Sequence, residues 1–442
     1  MPTSVMPTSA DAQRWAAGLE DLMARLDPRF GRIEPRRRAR AYVRGLLAPL
    51  ERKNGWHLAE AAGDATPDGV QDFLARAHWD AEAVRDDLRA YVVEHFGAPG
   101  AVFVLDETGF VKKGTKSVGV QRQYSGTAGR IDNCQVGVFL AYASRHGYAF
   151  LDRALYLPES WAADPERRAA AGVPGAVAFT TKPKLGRAML ARALAAGVPG
   201  AWVTADTVYG SDSTLRRWCE AHSLAYVLAV TSEQHLARRP VAEWIAEVPP
   251  AAWQRLSAGD GAKGPRLYDW AYVPYRGAPA GWRAGLLARR ALTKRAPTKP
   301  AEIAYYLTQA PEGTTVQELV RVAGTRWVVE AAFEAAKGEV GLDQYEVRGW
   351  TGWHRHVTLA LLAHAYLAVT RAAAGGGKRR RGPRRSPRGP PAAHGAGSPS
   401  ALVAPRVGSS SRRRARARMV HLAPATPAAR APVALATACA HR

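Results

Sequence analysis

Apolar residues recur at helical spacing through residues 10–97, as in Trp15, Leu19, Leu22 and Leu26 and again in Val84, Leu88, Tyr91 and Val92. Within that region, Trp56–Ala62 is separated by Gly63–Ala65 from a second helical stretch, with Thr66 as its cap and Pro67 at its first position. Two short helices joined this way suit a DNA-reading helix-turn-helix, and equally an ordinary packed pair. The pattern changes at residue 98. Ala101–Leu105 is an apolar run that stops at Asp106, and Trp202–Ala205 is another that stops at Asp206. Val136–Tyr142, Tyr148–Leu157 and Tyr226–Val230 also read as strands, with helices at Leu185–Ala196 and Ser213–Ala221. The order β-β-β-α-β-α-β predicts an α/β fold with a mixed five-stranded sheet flanked by helices. Residues 231–316 alternate like strands (Leu267–Tyr275, Trp282–Leu292, Ile303–Thr308), which predicts a β-rich insertion. Thr315 then caps a helix from Val316 to about Val340, and His354–Thr370 forms another, almost wholly apolar and therefore buried.

This gives five segments: a helical one at 1–97, a core begun at 98–230, the insertion at 231–316, core helices at 317–371 and a tail at 372–442. The tail is rich in Arg, Pro, Ala, Gly and Ser and has no Phe, Trp or Tyr, so it cannot bury a core and is expected to be disordered in isolation.

Charge narrows the partners. With 62 Lys and Arg against 38 Asp and Glu, the formal charge is +24. Residues 372–442 hold 15 Lys and Arg and no acid, which leaves +9 on the first 371 residues. A body this basic suits a polyanion, nucleic acid above all. The run Pro35–Arg40, with Arg36, Arg37 and Arg38, is a candidate DNA contact within the helical segment. Cys134, Cys219 and Cys439 form no CxxC pair, so neither a disulfide framework nor a structural zinc site is expected. The N-terminus lacks a basic region followed by an apolar run, and no 18 consecutive apolar residues occur. A cytoplasmic location without a membrane is the expectation.

The chemistry concentrates in three acids. Phosphodiester cleavage can use two divalent ions about 3.5–4 Å apart, held by a few carboxylates from different elements. Asp106 and Asp206 end strands expected to be neighbours, and Glu330 lies on a helix with Arg326 and Lys337 four residues before and seven after it. Those offsets fall on one face, with an acid for metal and two cations for a DNA backbone, although Phe333 interrupts it. Taken singly, each has a plainer explanation. Asp often forms turns or caps at strand ends, Arg326 and Glu330 suit a surface i,i+4 pair, and Lys337 suits solvent.

Several longer stretches carry a family resemblance. VLDETGFVKKGTKSVGVQRQYSGTAGRIDNCQVGVFLAY (104–142), TADTVYG (204–210) and TRWVVEAAFEAAKGEVGLDQYEVRGWTGWHRH (325–356) resemble, in order, the three acidic regions of insertion-sequence DDE transposases of the bacterial Y-x2-R-x3-E-x6-K group. The likeness spans roughly residues 15–371. It implies an RNase H-like core with Asp106, Asp206 and Glu330 as catalytic ligands of two Mg2+ ions (or Mn2+), and Arg326 and Lys337 as DNA contacts. It further implies binding of terminal inverted repeats, strand cleavage and strand transfer into target DNA by a homodimer that pairs two ends at the nucleoid. The signature Tyr is replaced by Ala323. In such proteins the β-rich insertion helps hold flipped bases, which makes Trp270 and Trp282 candidates for stacking, against the plainer reading of Trp in a small β core.

Two other readings stand beside an active transposase: a DNA-binding relic or inhibitor, and an RNase H-like nuclease. The tail bears on the first. It is either a basic arm tracking phosphates or the product of a frame shift, since Met419–Pro427 is codon-compatible, one nucleotide later, with Trp-Ser-Thr-Trp and arginines.

Overall fold

The computed structural model describes residues 8–126, 129–261, 264–293 and 301–379, with side chains as far as Ala374. Five helices lead the chain: α1 (Ser9–Leu26), α2 (Ile33–Leu47), α3 (Gly55–Ala61), α4 (Asp68–Ala75) and α5 (Ala81–Phe96). Four strands follow, β1 (Val102–Val111), β2 (Gln121–Ser125), β3 (Arg130–Ser144) and β4 (Gly147–Tyr156), then the short helices α6 (Glu159–Ala162) and α7 (Pro165–Ala170). Next come α8 (Lys182–Ala195), β5 (Trp202–Ala205), α9 (Thr207–Gly210), α10 (Ser213–Ala221) and β6 (Ala225–Val230). A small hairpin of β7 (His235–Leu236) and β8 (Arg239–Pro240) and helix α11 (Val241–Ala246) lead into β9 (Gln254–Gly261), β10 (Gly264–Tyr275), β11 (Trp282–Arg290) and β12 (Ile303–Pro311). The chain continues as α12 (Val316–Thr325), α13 (Trp327–Val340) and α14 (Trp350–Arg379).

The five strands expected from the sequence form the middle of a larger, ten-stranded sheet. Its order is β2-β3-β1-β5-β6-β12-β11-β10-β9, with β4 also paired to β3. The insertion is therefore no separate layer. β12 pairs antiparallel with β6, and β11, β10 and β9 extend the sheet outward from it. Among the described residues, the β1–β5 and β5–β6 pairs alone are parallel. That accounts for the unbroken burial of Val102–Leu105 and Trp202–Ala205, because strands covered on both faces show no alternation.

Contacts sort the two faces. Leu105 on β1 lies against Gly186 of α8, where an added Cβ would meet its side chain at 3.0 Å. On the other face Phe139 and Phe150 pack on Phe333 of α13, with ring centroids 5.2 and 5.0 Å apart. Helix α14 backs that face and is anchored to the N-terminal helices. Arg355 donates to the carbonyls of Phe73, Leu74 and Trp79, and His356 bonds the Tyr42 hydroxyl at 2.7 Å. The described residues thus belong to one compact unit, the first five helices included. Among them Trp350–Ala374 is long and apolar enough to cross a membrane, but Trp353 and Val357–Ala365 are buried in this core.

Three boundaries differ from the expected ones. Pro67, not Thr66, occupies the position before α4, and the Thr66 hydroxyl donates instead to Asp68 at 3.0 Å. The helix expected over 316–340 breaks at Arg326, where Arg326 N–H reaches Ala323 O and Val329 N–H reaches Arg326 O, both three residues apart. That tighter step ends one helix and starts the next. Helix α14 runs through the expected tail boundary to Arg379; the rest of the tail, with both readings of it, lies outside the described residues.

The approach of α12 to β9 leaves no room at Gly324, where a Cβ would lie 2.1 Å from the Ala258 carbonyl oxygen. Gly338, on the open side of α13, would meet nothing within 4 Å. Gly324→Ala is therefore expected to destabilise by about 1–3 kcal/mol through overpacking, and Gly338→Ala to stabilise by about 0.5–1 kcal/mol. Denaturant midpoints test this pair, and equal shifts would contradict the packing described.

Candidate active site

The parallel pairing of β1 with β5 ends at Leu105 opposite Ala205, so Asp106 and Asp206 are the next residues on adjacent strands. β1 continues past Asp106 only because β3 still pairs with it, from Asp106 opposite Phe139 to Val111 opposite Cys134. Asp206 leaves the sheet and caps α9, its Oδ1 accepting from the Val208 N–H at 3.0 Å. Asp106 shares the sheet face of Phe139, under α13.

Helix α13 brings its cations to this point. The Arg326 guanidinium donates to Asp106 Oδ2 at 3.3 Å and to Glu330 Oε1 at 2.9 Å. Farther along the same helix, Lys337 Nζ donates to Thr108 Oγ1 at 2.8 Å. Arg326 and Lys337 thus both reach β1, while Phe333 between them packs into the core. Asp106 is mostly buried (15% side-chain exposure) and Glu330 mostly open (54%).

Burial pushes the Asp106 carboxyl up to about 7; Arg326 opposes the rise and Asp206 adds to it. Asp206 is raised as well, by burial and then by Glu107. Burial disfavours charge on Arg326, but Asp106 and Glu330 outweigh it and raise its pKa. Glu107 faces the opposite side, accepting from Lys182 Nζ of α8 and from the Tyr209 hydroxyl, each at 2.7 Å. Carboxylates so poorly solvated and so close together need a cation.

Among the described residues no three His, Cys, Asp or Glu side chains form a ready metal cluster. Arg326 instead bridges two of the three acids, so Asp106 and Glu330 can already serve one cation together. The donors are all carboxylate oxygens, and Asp106 is destabilised when charged alone; both features fit a hard divalent ion such as Mg2+.

A family model described as DDE superfamily endonuclease matches residues 25–271, more than half of the chain. The chain belongs to that family. The match covers Asp106 and Asp206 in this DDE endonuclease and stops before Glu330. It is also similar to the probable transposase for insertion sequence element IS701 of Microchaete diplosiphon, at 24% identity over 306 residues, covering 69% of this chain and 74% of the relative.

Other predicted contacts of the DDE endonuclease fare unequally. Arg36 donates to the Phe30 carbonyl at 2.9 Å and Arg38 pairs with Asp64, so both have structural partners; Arg37 is exposed and without an ion pair among the described residues. Trp270 is buried in the core, its ring 6.0 Å from Tyr306. Trp282 lies at the far end of β11, opposite Pro311. Seven residues separate it from Arg289, which borders the acids, or roughly 23 Å along an extended strand. Trp282 thus stands well apart from the acids. Sequence reasoning missed Trp327, Tyr268, Arg266 and Arg289. Trp327 and Tyr268 lie parallel at 6.0 Å, with Arg266 4.2 Å from the Trp327 ring and Arg289 4.7 and 5.0 Å from Tyr268 and Trp327. Trp327 directly follows Arg326, which was the available signal.

Proposed function

We propose that this DDE endonuclease is an insertion-sequence transposase. It binds the terminal inverted repeats of its element, cuts at the ends, and joins the 3′-hydroxyls to target DNA as a homodimer on two paired ends, in the cytoplasm at the nucleoid. The observation that carries the reading is the Arg326 bridge, which reaches back 220 positions to Asp106 and joins it to Glu330 beside Asp206. The name of the IS701 relative points the same way.

Asp106, Asp206 and Glu330 are the residues that would hold magnesium, or manganese in its place. Two bound ions supply an ionised water or 3′-hydroxyl and charge stabilisation at the leaving oxygen. Arg326 and Lys337 bring positive charge to the lip of the site, where a phosphate backbone needs it. Lys337 contacts Thr108 and the Phe110 ring on β1, and Phe333 packs on Phe139 of the neighbouring β3, which holds α13 on the sheet so that Glu330 stays in register with Asp106.

The test is Mg2+-dependent nicking of duplexes that carry the DNA flanking this gene. Nicks at the element boundary, absent on scrambled duplex and absent with EDTA, are expected. Specific binding without nicks would favour the DNA-binding relic, and nicking without end preference the RNase H-like nuclease.

A further inference from the structure

A cavity of about 330 Å³ opens beside the carboxylates, bordered by Asp206, Arg289, Tyr306, Ala323, Arg326 and Trp327. Two donors in it have no acceptor among the described residues. Arg289 makes no hydrogen bond or ion pair with any described residue, whereas its neighbour Arg290 reaches Asp269 at 3.3 Å. The Arg289 guanidinium is nonetheless held in place, by the parallel rings of Tyr268 and Trp327. Tyr306 is only 6% exposed, and its hydroxyl likewise has no hydrogen-bond partner among the described residues. The small side chain of Ala323 leaves the space between them open.

We infer that Arg289 and the Tyr306 hydroxyl form a phosphate subsite that holds a DNA backbone phosphate adjacent to the one being cut. A guanidinium without an anion and a hydroxyl without an acceptor, both on one cavity wall, are jointly satisfied by a phosphate oxygen pair. A nucleobase fits less well, since the Trp327 ring is already engaged by Tyr268, Arg266 and Arg289. A free small anion is disfavoured by the Asp206 carboxylate on the same wall. A phosphate tethered in a DNA strand is delivered there by its neighbours. The subsite rests on the transposase reading above.

The test uses the full chain and end duplexes in which single phosphates near the cleavage position are replaced by neutral methylphosphonates. Binding is read by fluorescence anisotropy at several salt concentrations. Wild type is expected to lose affinity about 10-fold at one position. Arg289→Gln is expected to bind unmodified DNA about 10-fold more weakly, with a log–log salt slope smaller by about 1, and to ignore that methylphosphonate. Tyr306→Phe is expected to weaken binding and blunt sensitivity at the same position. Wild-type affinity, slope and methylphosphonate pattern in both variants would overturn the subsite. If thermal melting shows that Arg289→Gln does not fold, the near-isosteric Tyr306→Phe decides alone. A wild-type protein that does not distinguish element ends overturns the transposase reading instead, and the salt slopes on random duplex then still decide the subsite.

Discussion

Asp106→Asn, Asp206→Asn and Glu330→Gln are each expected to reduce strand cleavage by roughly 10³-fold or more, a loss of about 4 kcal/mol of transition-state stabilisation. Binding of element ends should remain within a few-fold. Stability separates this from a structural defect. Asp106 is desolvated and raised to about 7, so neutralising it removes a poorly solvated charge and should leave the melting temperature of the metal-free protein unchanged or higher. Glu330 is largely open to solvent, and its Gln variant should melt like wild type. A variant that still cleaves at a tenth of the wild-type rate or better would remove that residue from the site.

Asp106 and Asp206 were legible because an apolar run that stops at an acid marks where a buried parallel strand emerges. Glu330 was legible from its spacing with Arg326 and Lys337, which survives even though the helix breaks at Arg326. Less of the insertion was legible. Its strands alternate in sequence, but alternation does not say which edge they join, and pairing to β6 makes them part of the same sheet. The Arg266–Trp327–Arg289–Tyr268 stack was invisible for the same reason. It depends on cross-strand register, with Trp270 opposite Arg289 on β10 and β11, and on α13 lying over those strands. Trp282 was singled out for its residue type, and register puts it at the end of β11 away from the acids.

The fold is expected to weaken markedly between pH 6.5 and 4 because of three histidines in α14, of which His354 is pushed down to about 3 by burial and then by Arg153. His356 is fully buried between the Tyr42 hydroxyl at 2.7 Å and the Gly341 carbonyl at 3.2 Å; His364, also buried, packs 5.6 Å from the Phe150 ring. Burial pushes both down to about 4, with Lys112 contributing at His356, while at His364 Glu339 opposes the fall and Arg371 adds to it. Unfolded, they titrate near 6.5, so between the two values the unfolded chain binds more protons. Their contribution is complete above pH 6.5 and is lost as pH falls towards 4, at up to about 1.4 kcal/mol per histidine per pH unit. Asp106 and Asp206 act in the opposite sense: their folded pKa values are raised, so acid favours the folded state. The measurement therefore belongs in an Asp106→Asn/Asp206→Asn background, as urea midpoints at pH 7 and pH 5. Adding His354→Gln, His356→Gln and His364→Leu should flatten the pH dependence, even at lower absolute stability. An unchanged slope would show that these histidines are not held neutral.

The central claim is that positions 106, 206 and 330 ligate the same ions, and Mn2+ binding read by electron paramagnetic resonance tests it without relying on turnover. With end DNA present, wild type should remove about two Mn2+ per active subunit from the free-ion signal. Asp106→Asn and Asp206→Asn should each abolish at least half of that uptake, and Glu330→Gln should weaken it. Identical Mn2+ uptake in wild type and all three variants would contradict the account.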